Sequence, residues 1–371
     1  MPFVPFALER WQSTWEHRVR INLSESGVHA LTVAELLALA GTTPDELLQV
    51  RLGYGQSDGS ETLRAAIAAL YPGATADHVT VTVGSAEANF CACWSLFREA
   101  RRVVIVAPTY MQIWGLAENF RARVKPVWLD PARGWEPDPD QIRRVITRAT
   151  DVVVVTDPNN PTGHVLSAAA RTAILERVRA SGAWLLVDEV YQGAEHQGPV
   201  TPTWFGTWER TVVVNGLSKA YGLPGLRIGW IVSPHELRGS LLERHDYTVI
   251  GPGPAADYLA RCAIGQRDRI FARTRDILHT NYPVLAEWLA SFGDTFAWTP
   301  PDCGAICFAR YREGPSSLDL VERVRAEQDI LLVPGDHFNM PGWLRLGYGN
   351  PAAELRDALA VLEPVMRGLL R

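Results

Sequence analysis

Short continuous apolar runs alternate along this chain with stretches in which apolar residues recur every three or four positions. Val79-Thr80-Val81-Thr82-Val83 is β-branched and stops at Gly84. Val103-Val104-Ile105-Val106 is closed by Pro108, and residues 151–156 hold four consecutive valines. Trp184 to Val187, Thr211 to Val214 and Ile228 to Val232 repeat the theme. Runs that stay apolar without alternating suit strands covered on both faces. Residues 86–98 and 168–179 read as helices between them. Strands separated by helices predict an α/β fold with a mainly parallel sheet. Upstream, Thr32 with Glu35 forms a capping-box pattern before Leu36-Leu37. Leu63, Ala66, Ile67 and Leu70 mark one face of a further helix. Beyond about residue 262 two long helical stretches flank a few short strands, as in a smaller α+β unit. The expected organisation is an arm and part of the small domain over 1–31, a large domain over 32–261 and a small C-terminal domain over 262–371. Neither an internal repeat nor a low-complexity segment interrupts it.

The bulk properties narrow the class. At 371 residues the chain can hold one large and one small domain. A hydrophobic share of 47% and a charged share of 21% are ordinary for a globular enzyme. Net charge is −5 without a long basic run, which argues against a nucleic-acid partner. The start Met1-Pro2-Phe3-Val4-Pro5 lacks a basic region followed by an apolar one, so no leader peptide is expected. No apolar stretch reaches about 18 residues, so no membrane span is expected; the expected location is cytoplasmic. The five cysteines include the close pairs Cys91/Cys93 and Cys303/Cys307. Neither pair has zinc-site spacing, so free buried thiols and no metal are expected.

One residue type is almost missing. Of 36 basic residues only Lys125 and Lys219 are lysines. An amine that must lose its proton and attack a carbonyl cannot be replaced by arginine, because guanidinium stays protonated. A lysine kept among arginines is a candidate for Schiff-base chemistry; chance survival is the alternative, and Lys125 illustrates it. Lys219 lies in Asn215-Gly216-Leu217-Ser218-Lys219-Ala220-Tyr221-Gly222-Leu223-Pro224-Gly225-Leu226-Arg227. Four other runs accompany it. Tyr54-Gly55-Gln56-Ser57-Asp58-Gly59 precedes Leu63-Arg64, and Gly84-Ser85-Ala86-Glu87 joins a strand to a helix. Asp157-Pro158-Asn159-Asn160-Pro161-Thr162-Gly163 follows the valine strand, and Val187-Asp188-Glu189-Val190-Tyr191 ends the next one. Taken singly, these read as turns and strand-end caps.

In this order the runs resemble the class I/II aminotransferases, fold-type I enzymes that use pyridoxal 5'-phosphate (PLP). The resemblance covers nearly the whole chain. It implies a large domain with a mainly parallel seven-stranded sheet, a smaller α+β domain, and a homodimer acting on an amino acid and a 2-oxo acid. Lys219 would bind PLP and then carry the proton between Cα and C4′. Asp188 would hold the pyridine nitrogen cationic, which makes the ring an electron sink. Asn160 and Tyr191 would share the phenolic oxygen. The Ser85 and Ala86 amides would bind phosphate at a helix N-terminus, with Ser218 and Arg227 completing the cup and Tyr54 reaching in from the partner subunit. Tyr110, in Pro108-Thr109-Tyr110, matches the aromatic that stacks on the ring. Arg345, in Trp343-Leu344-Arg345-Leu346-Gly347, matches the arginine that holds the substrate α-carboxylate, beside Asn160. The chain departs at Gly216, where the family often has Ser or Thr facing the phosphate.

Substrate choice is less legible. Asn22-Leu23-Ser24-Glu25-Ser26-Gly27-Val28-His29 falls where the family's N-terminal segment lines the substrate pocket. Gly27 permits close backbone approach. Glu25 is either a partner for a cationic substrate side chain or a surface carboxylate; His29 is either a proton carrier or structural. The expected activity is amino-group transfer. The alternative is a PLP-dependent lyase or cyclase acting on an arginine-derived amino acid, because Ser26 to His29 and Lys219 to Arg227 also resemble the capreomycidine synthase type. The fold also serves as an effector domain in some transcription regulators, for whose DNA-binding domain an arm of roughly 30 residues is too short.

Overall fold

Four consecutive valines build the middle of the sheet. The computed structural model describes residues 3–98 and 101–370; Met1 and Pro2, which open the run read above for a leader peptide, lie outside the described residues. In chain order the strands are β1 Ile21–Asn22, β2 Val79–Thr82, β3 Arg102–Ala107, β4 Arg123–Asp130, β5 Glu136–Pro137, β6 Val152–Thr156, β7 Trp184–Asp188, β8 Thr211–Gly216 and β9 Gly229–Val232. Then come β10 Phe296–Trp298, β11 Ile306–Tyr311, β12 Ile330–Leu331, β13 Val333–Pro334 and β14 Trp343–Gly347. Side chains on a strand point alternately to its two faces. Val153 and Val155 accordingly join one core with Leu185, Val187 and Val213. Val152 and Val154 join a second core with Ile105, Leu186 and Val214. Both faces are dry, so the run is apolar without alternation. Each fully buried valine contributes roughly 1.5–3 kcal/mol.

The large sheet runs β2-β9-β8-β7-β6-β3-β4-β5. The pairs β3·β4, β3·β6, β6·β7 and β7·β8 are parallel. β9 lies antiparallel between β2 and β8. Seven strands form the expected sheet, and the two-residue β5 adds an eighth, antiparallel, on the β4 edge. Pro137 at that margin fits the confinement of proline to sheet edges. β4 escaped the apolar pattern because Arg123 and Lys125 are exposed on it and Pro126 interrupts it. The helix expected over 86–98 is Ser85–Leu96; Phe97 turns to extended geometry and is buried.

The C-terminal part carries a four-stranded antiparallel sheet, β10-β11-β14-β13. The helices Arg267–Ala290 and Ala352–Leu369 flank it, with Ser317–Gln328 between them in sequence. The N-terminal helix Ala7–Trp15 is tied down at both ends. Val4 and Asn119 exchange hydrogen bonds of 2.9 and 3.0 Å. The Trp11 indole donates to Leu332 O at 2.8 Å, and β1 pairs with β12. Among the described residues no helix is long and apolar enough to cross a membrane. All five cysteines are free thiols; four are buried and Cys262 is half-buried.

Candidate active site

The loops leaving β3, β6, β7 and β8 share one edge of the sheet, because those strands are parallel. β2 and β8 both run antiparallel to β9, so the Gly84-Ser85 turn emerges there too. The crevice beyond the carboxyl ends of the strands is the usual ligand site of such sheets. Here it is a cavity of about 400 Å³ lined by Ser85, Ala86, Tyr110, Asn160, Asp188, Tyr191, Ser218, Lys219, Arg227, Arg345 and Glu25, among others. Residues up to 339 positions apart in sequence, Phe6 and Arg345, thus line one cavity.

Lys219 Nζ lies 3.7 Å from Glu25 Oε2. Burial pulls the Lys219 amine down, but the Glu25 carboxylate and then Tyr191 outweigh it, so the amine is held above its ordinary value. Glu25 responds in the opposite sense; the Lys219 charge holds its carboxyl low. Asp188 is 3% exposed and accepts from Asn89 Nδ2 at 2.9 Å and from the Val190 amide at 3.1 Å. Burial pushes its carboxyl up despite these donors. Such a group favours a cation beside it. Burial likewise raises the Tyr191 phenol, which donates to Ser26 Oγ at 2.8 Å. Lys125 is exposed and outside the cavity.

Arg345 is 1% exposed and reaches across the molecule. Its Nη1 donates to Asn160 Oδ1 at 3.0 Å and its Nη2 to Ser24 O at 2.5 Å. This bond takes the Asn160 oxygen and leaves its amide nitrogen as a donor. Among the described residues the Arg345 Nε has no partner, although an unpaired buried donor costs about 1–3 kcal/mol. The Tyr110 hydroxyl donates to Glu9 Oε1 at 2.5 Å, and Phe6 meets the Tyr110 ring edge-on at 5.0 Å.

The Gly84 turn is compact. Gly84 has φ +81°, and a Cβ there would overlap Arg227 Nη2. A Cβ on Gly229 would overlap the Gly84 and Ser85 backbone. Gly216, where the family often carries a hydroxyl, has Ile228 O at 3.1 Å from the position of a Cβ. The lost donor therefore coincides with a tightly filled spot. Arg227 itself is exposed, adopts φ +52° and donates to Pro224 O at 2.9 Å. Twelve residues of helix start at Ser85, so free amides and the positive helix end face the cavity beside this guanidinium.

Two expected residues lie apart. Tyr54 is 97% exposed and does not line the cavity of its own chain. Gly27 lines a neighbouring cleft; a Cβ on it would sit 3.2 Å from Ser218 O and 3.4 Å from the Lys219 Cα, so its backbone passes close to the lysine segment. His29 lies in the same cleft with Nδ1 3.0 Å from Gly349 O. Sequence reasoning missed Glu9, Gln12 and Glu16, which line the cavity from the N-terminal helix and its C-cap. Their spacing of three and four places them on one helix face, which was the available signal. It also missed Asn89, four residues after Ser85 on the helix behind Asp188.

An amine, a buried carboxylate below it and a helix end with an arginine for an anion fit PLP, and the fold is that of the PLP-dependent α/β enzymes. The chain belongs to the family described as aminotransferase class I and II, whose model matches residues 21–362. It is 35% identical over 367 residues to capreomycidine synthase from Streptomyces vinaceus, covering 98% of this chain and 93% of that one. Among solved structures it resembles a PLP-dependent aminotransferase from Streptococcus suis, with TM-score 0.93, 28% identity and coverage of 100% and 99%. It also resembles the PLP-dependent cyclase OrfR, with TM-score 0.90, 31% identity and coverage of 99% and 98%.

Proposed function

We propose that this chain moves an amino group from an amino acid to a 2-oxo acid. The observation that carries the reading is the Lys219 amine sharing one cavity with buried Asp188 and Arg345. Lys219 would hold the cofactor through its amine and, once released, would serve as the base that takes the proton from the substrate Cα and as the acid that gives one back. PLP, when bound, supplies the electron sink for the carbanion. Asp188 holds the positive charge at the ring nitrogen. Asn160, whose oxygen is engaged by Arg345, donates its amide to the phenolic oxygen, and Tyr191 donates beside it. Tyr110 stacks on the ring. The Ser85 and Ala86 amides, Ser218 and Arg227 hold the phosphate. Arg345 takes the substrate α-carboxylate, which would also satisfy its unpaired Nε.

A second reading is cyclisation of an arginine-derived amino acid. The identity to capreomycidine synthase over 98% of the chain supports it. In both reactions Lys219 would be the base at the substrate Cα; transfer would then need the same amine to deliver a proton, whereas the lyase route would need a leaving group on the substrate. Mixing the purified holoenzyme with single amino acids separates them. Transfer releases a 2-oxo acid and changes the bound cofactor's absorbance until a 2-oxo acid restores it. A cyclic product with the cofactor recovered unchanged would sink transfer. Borohydride labelling at Lys125, or at neither lysine, would sink both.

The active unit we infer is a homodimer in which Tyr54 serves the partner's phosphate. Leu48, Leu52, Tyr54, Tyr247 and Ile250 are each more than half exposed. The 55–57 and 251–252 segments that carry part of this surface abut, with Gly251 packed on Ser57. Exposed apolar surface of this kind suits a partner. Sedimentation at the mass of one chain, with full activity, would contradict it.

A further inference from the structure

Charge within the cavity does not balance once each group of the proposed site takes its partner. The lining holds three cations, Lys219, Arg227 and Arg345, and four carboxylates, Asp188, Glu9, Glu16 and Glu25. On the reading above, Arg227 is matched by phosphate, Arg345 by the substrate α-carboxylate and Asp188 by the ring nitrogen. Lys219 is taken up in holding the cofactor and no longer offers an ammonium to Glu25. Glu9, Glu16 and Glu25 are then left without a cation. Glu9 keeps the Tyr110 hydroxyl. Glu16 has only His17 beyond the cavity, at 3.6 Å, and that imidazole is 90% exposed. Burial and then the nearby Glu25 carboxylate push the Glu16 carboxyl up, against the weaker pull of His17 and Lys219.

We propose that Glu16 and Glu25 select a substrate whose side chain ends in a cation, a guanidinium or an ammonium. The inference deepens the proposed function and rests on its placement of PLP and the α-carboxylate; it holds for transfer and for cyclisation alike. The acidic cluster does not stand alone. Arg345, 1% exposed with an unpaired Nε, lines the same cavity and marks where the other end of an amino acid is anchored. Glu16 and Glu25 also line the adjoining cleft of about 270 Å³, together with Ser218 and Pro224. A long side chain anchored at Arg345 therefore passes Lys219 and reaches the two glutamates where the cavity opens into that cleft. The Lys219 amine, 3.7 Å from Glu25, shows that this carboxylate can take a cationic partner at that place. A carboxylate side chain, as in aspartate, would instead add a like charge to this side of the cavity and find no cation there.

Equilibrium titration tests this without turnover as the readout. The holoenzyme is titrated with arginine, ornithine, citrulline and aspartate, and binding is read from the bound cofactor's absorbance. Citrulline keeps arginine's shape and removes its charge. At least one of arginine and ornithine should bind on the order of 10- to 100-fold tighter than citrulline, and aspartate weakest. Glu16→Gln and Glu25→Gln should each weaken the cationic ligand by at least about 10-fold and leave citrulline nearly unchanged; a general loss of structure would weaken both. Glu16→Gln is the cleaner variant, because Glu25 also faces the Lys219 amine. Citrulline or aspartate binding as tightly as both cations overturns the inference while leaving the PLP reading intact. Protein that binds no PLP, or PLP-loaded protein that answers to no amino acid, overturns the reading of the site and the inference with it.

Discussion

Asp188→Asn isolates one charge from its packing. The carboxylate is 3% exposed and accepts two hydrogen bonds, from Asn89 Nδ2 and the Val190 amide. The replacement amide keeps one oxygen for the Val190 amide. Its new NH₂ would confront the Asn89 NH₂, but Asn89 Oδ1 is buried without a partner among the described residues. Rotation of the Asn89 amide by half a turn therefore restores a hydrogen bond between the two side chains. The fold should lose no more than about 1 kcal/mol, roughly one neutral hydrogen bond. The electrostatic loss is larger. Removing one partner of a buried ion pair costs about 3–5 kcal/mol, and if this falls on the step in which the ring accepts electrons, turnover drops about 10²- to 10⁴-fold. The variant should still take up PLP, seen as cofactor absorbance in the purified protein, and should melt within a few degrees of the parent. The assay compares turnover with cofactor content and melting temperature in one preparation. Turnover within tenfold of the parent, at equal PLP content, would show that Asp188 does not carry the ring charge. A colourless or unfolded variant would show that the Asn89 rotation was wrongly argued.

Two further outcomes follow from other parts of the chain. His164, directly after the Asn159-to-Gly163 run, lies between Asp302 Oδ2 at 2.9 Å and Glu136 Oε1 at 3.1 Å. Burial pulls its imidazole down, but the Asp302 bond and the two carboxylate charges outweigh it and raise it above 6.5. Its stabilisation is therefore fully present below pH 6.5 and is lost as pH rises through the raised value. Thermal melts from pH 6 to 9 should show His164→Gln about 1–2 kcal/mol less stable at the acid end, less than two buried charged bonds because Asp302 is half-exposed, and converging with the parent at the alkaline end; parallel curves would refute this. Gly229→Ala should displace the Gly84-Ser85 turn, lowering stability by about 1–3 kcal/mol and weakening PLP retention in dialysis, and unchanged retention would mean that this turn does not hold the phosphate.

Some of this molecule could be read without a structure, for local reasons. Four valines in a row at 152–155 specify a strand covered on both faces, because no polar position is left to meet water. The Lys219 amine, the Asn160 run and Asp188 are legible because each sits in a short loop beside a strand end, where neighbours in sequence are neighbours in space. The strand Arg123–Asp130 was not legible, since Arg123 and Lys125 are exposed on it, Pro126 interrupts it and its identity as a strand depends on pairing with β3. The wall of the cavity depended still more on tertiary contact. Glu9 meets Tyr110 across 101 residues, Arg345 meets Asn160 across 185 and Ser24 across 321. Before folding, Glu9 and Glu16 are two more charges on a surface helix. They become part of a site only when β1 pairs with β12 and Trp11 bonds Leu332, which holds the helix over the cavity. Chemistry common to the family is encoded in local runs of sequence, while the walls that we propose choose the side chain are assembled only by long-range packing.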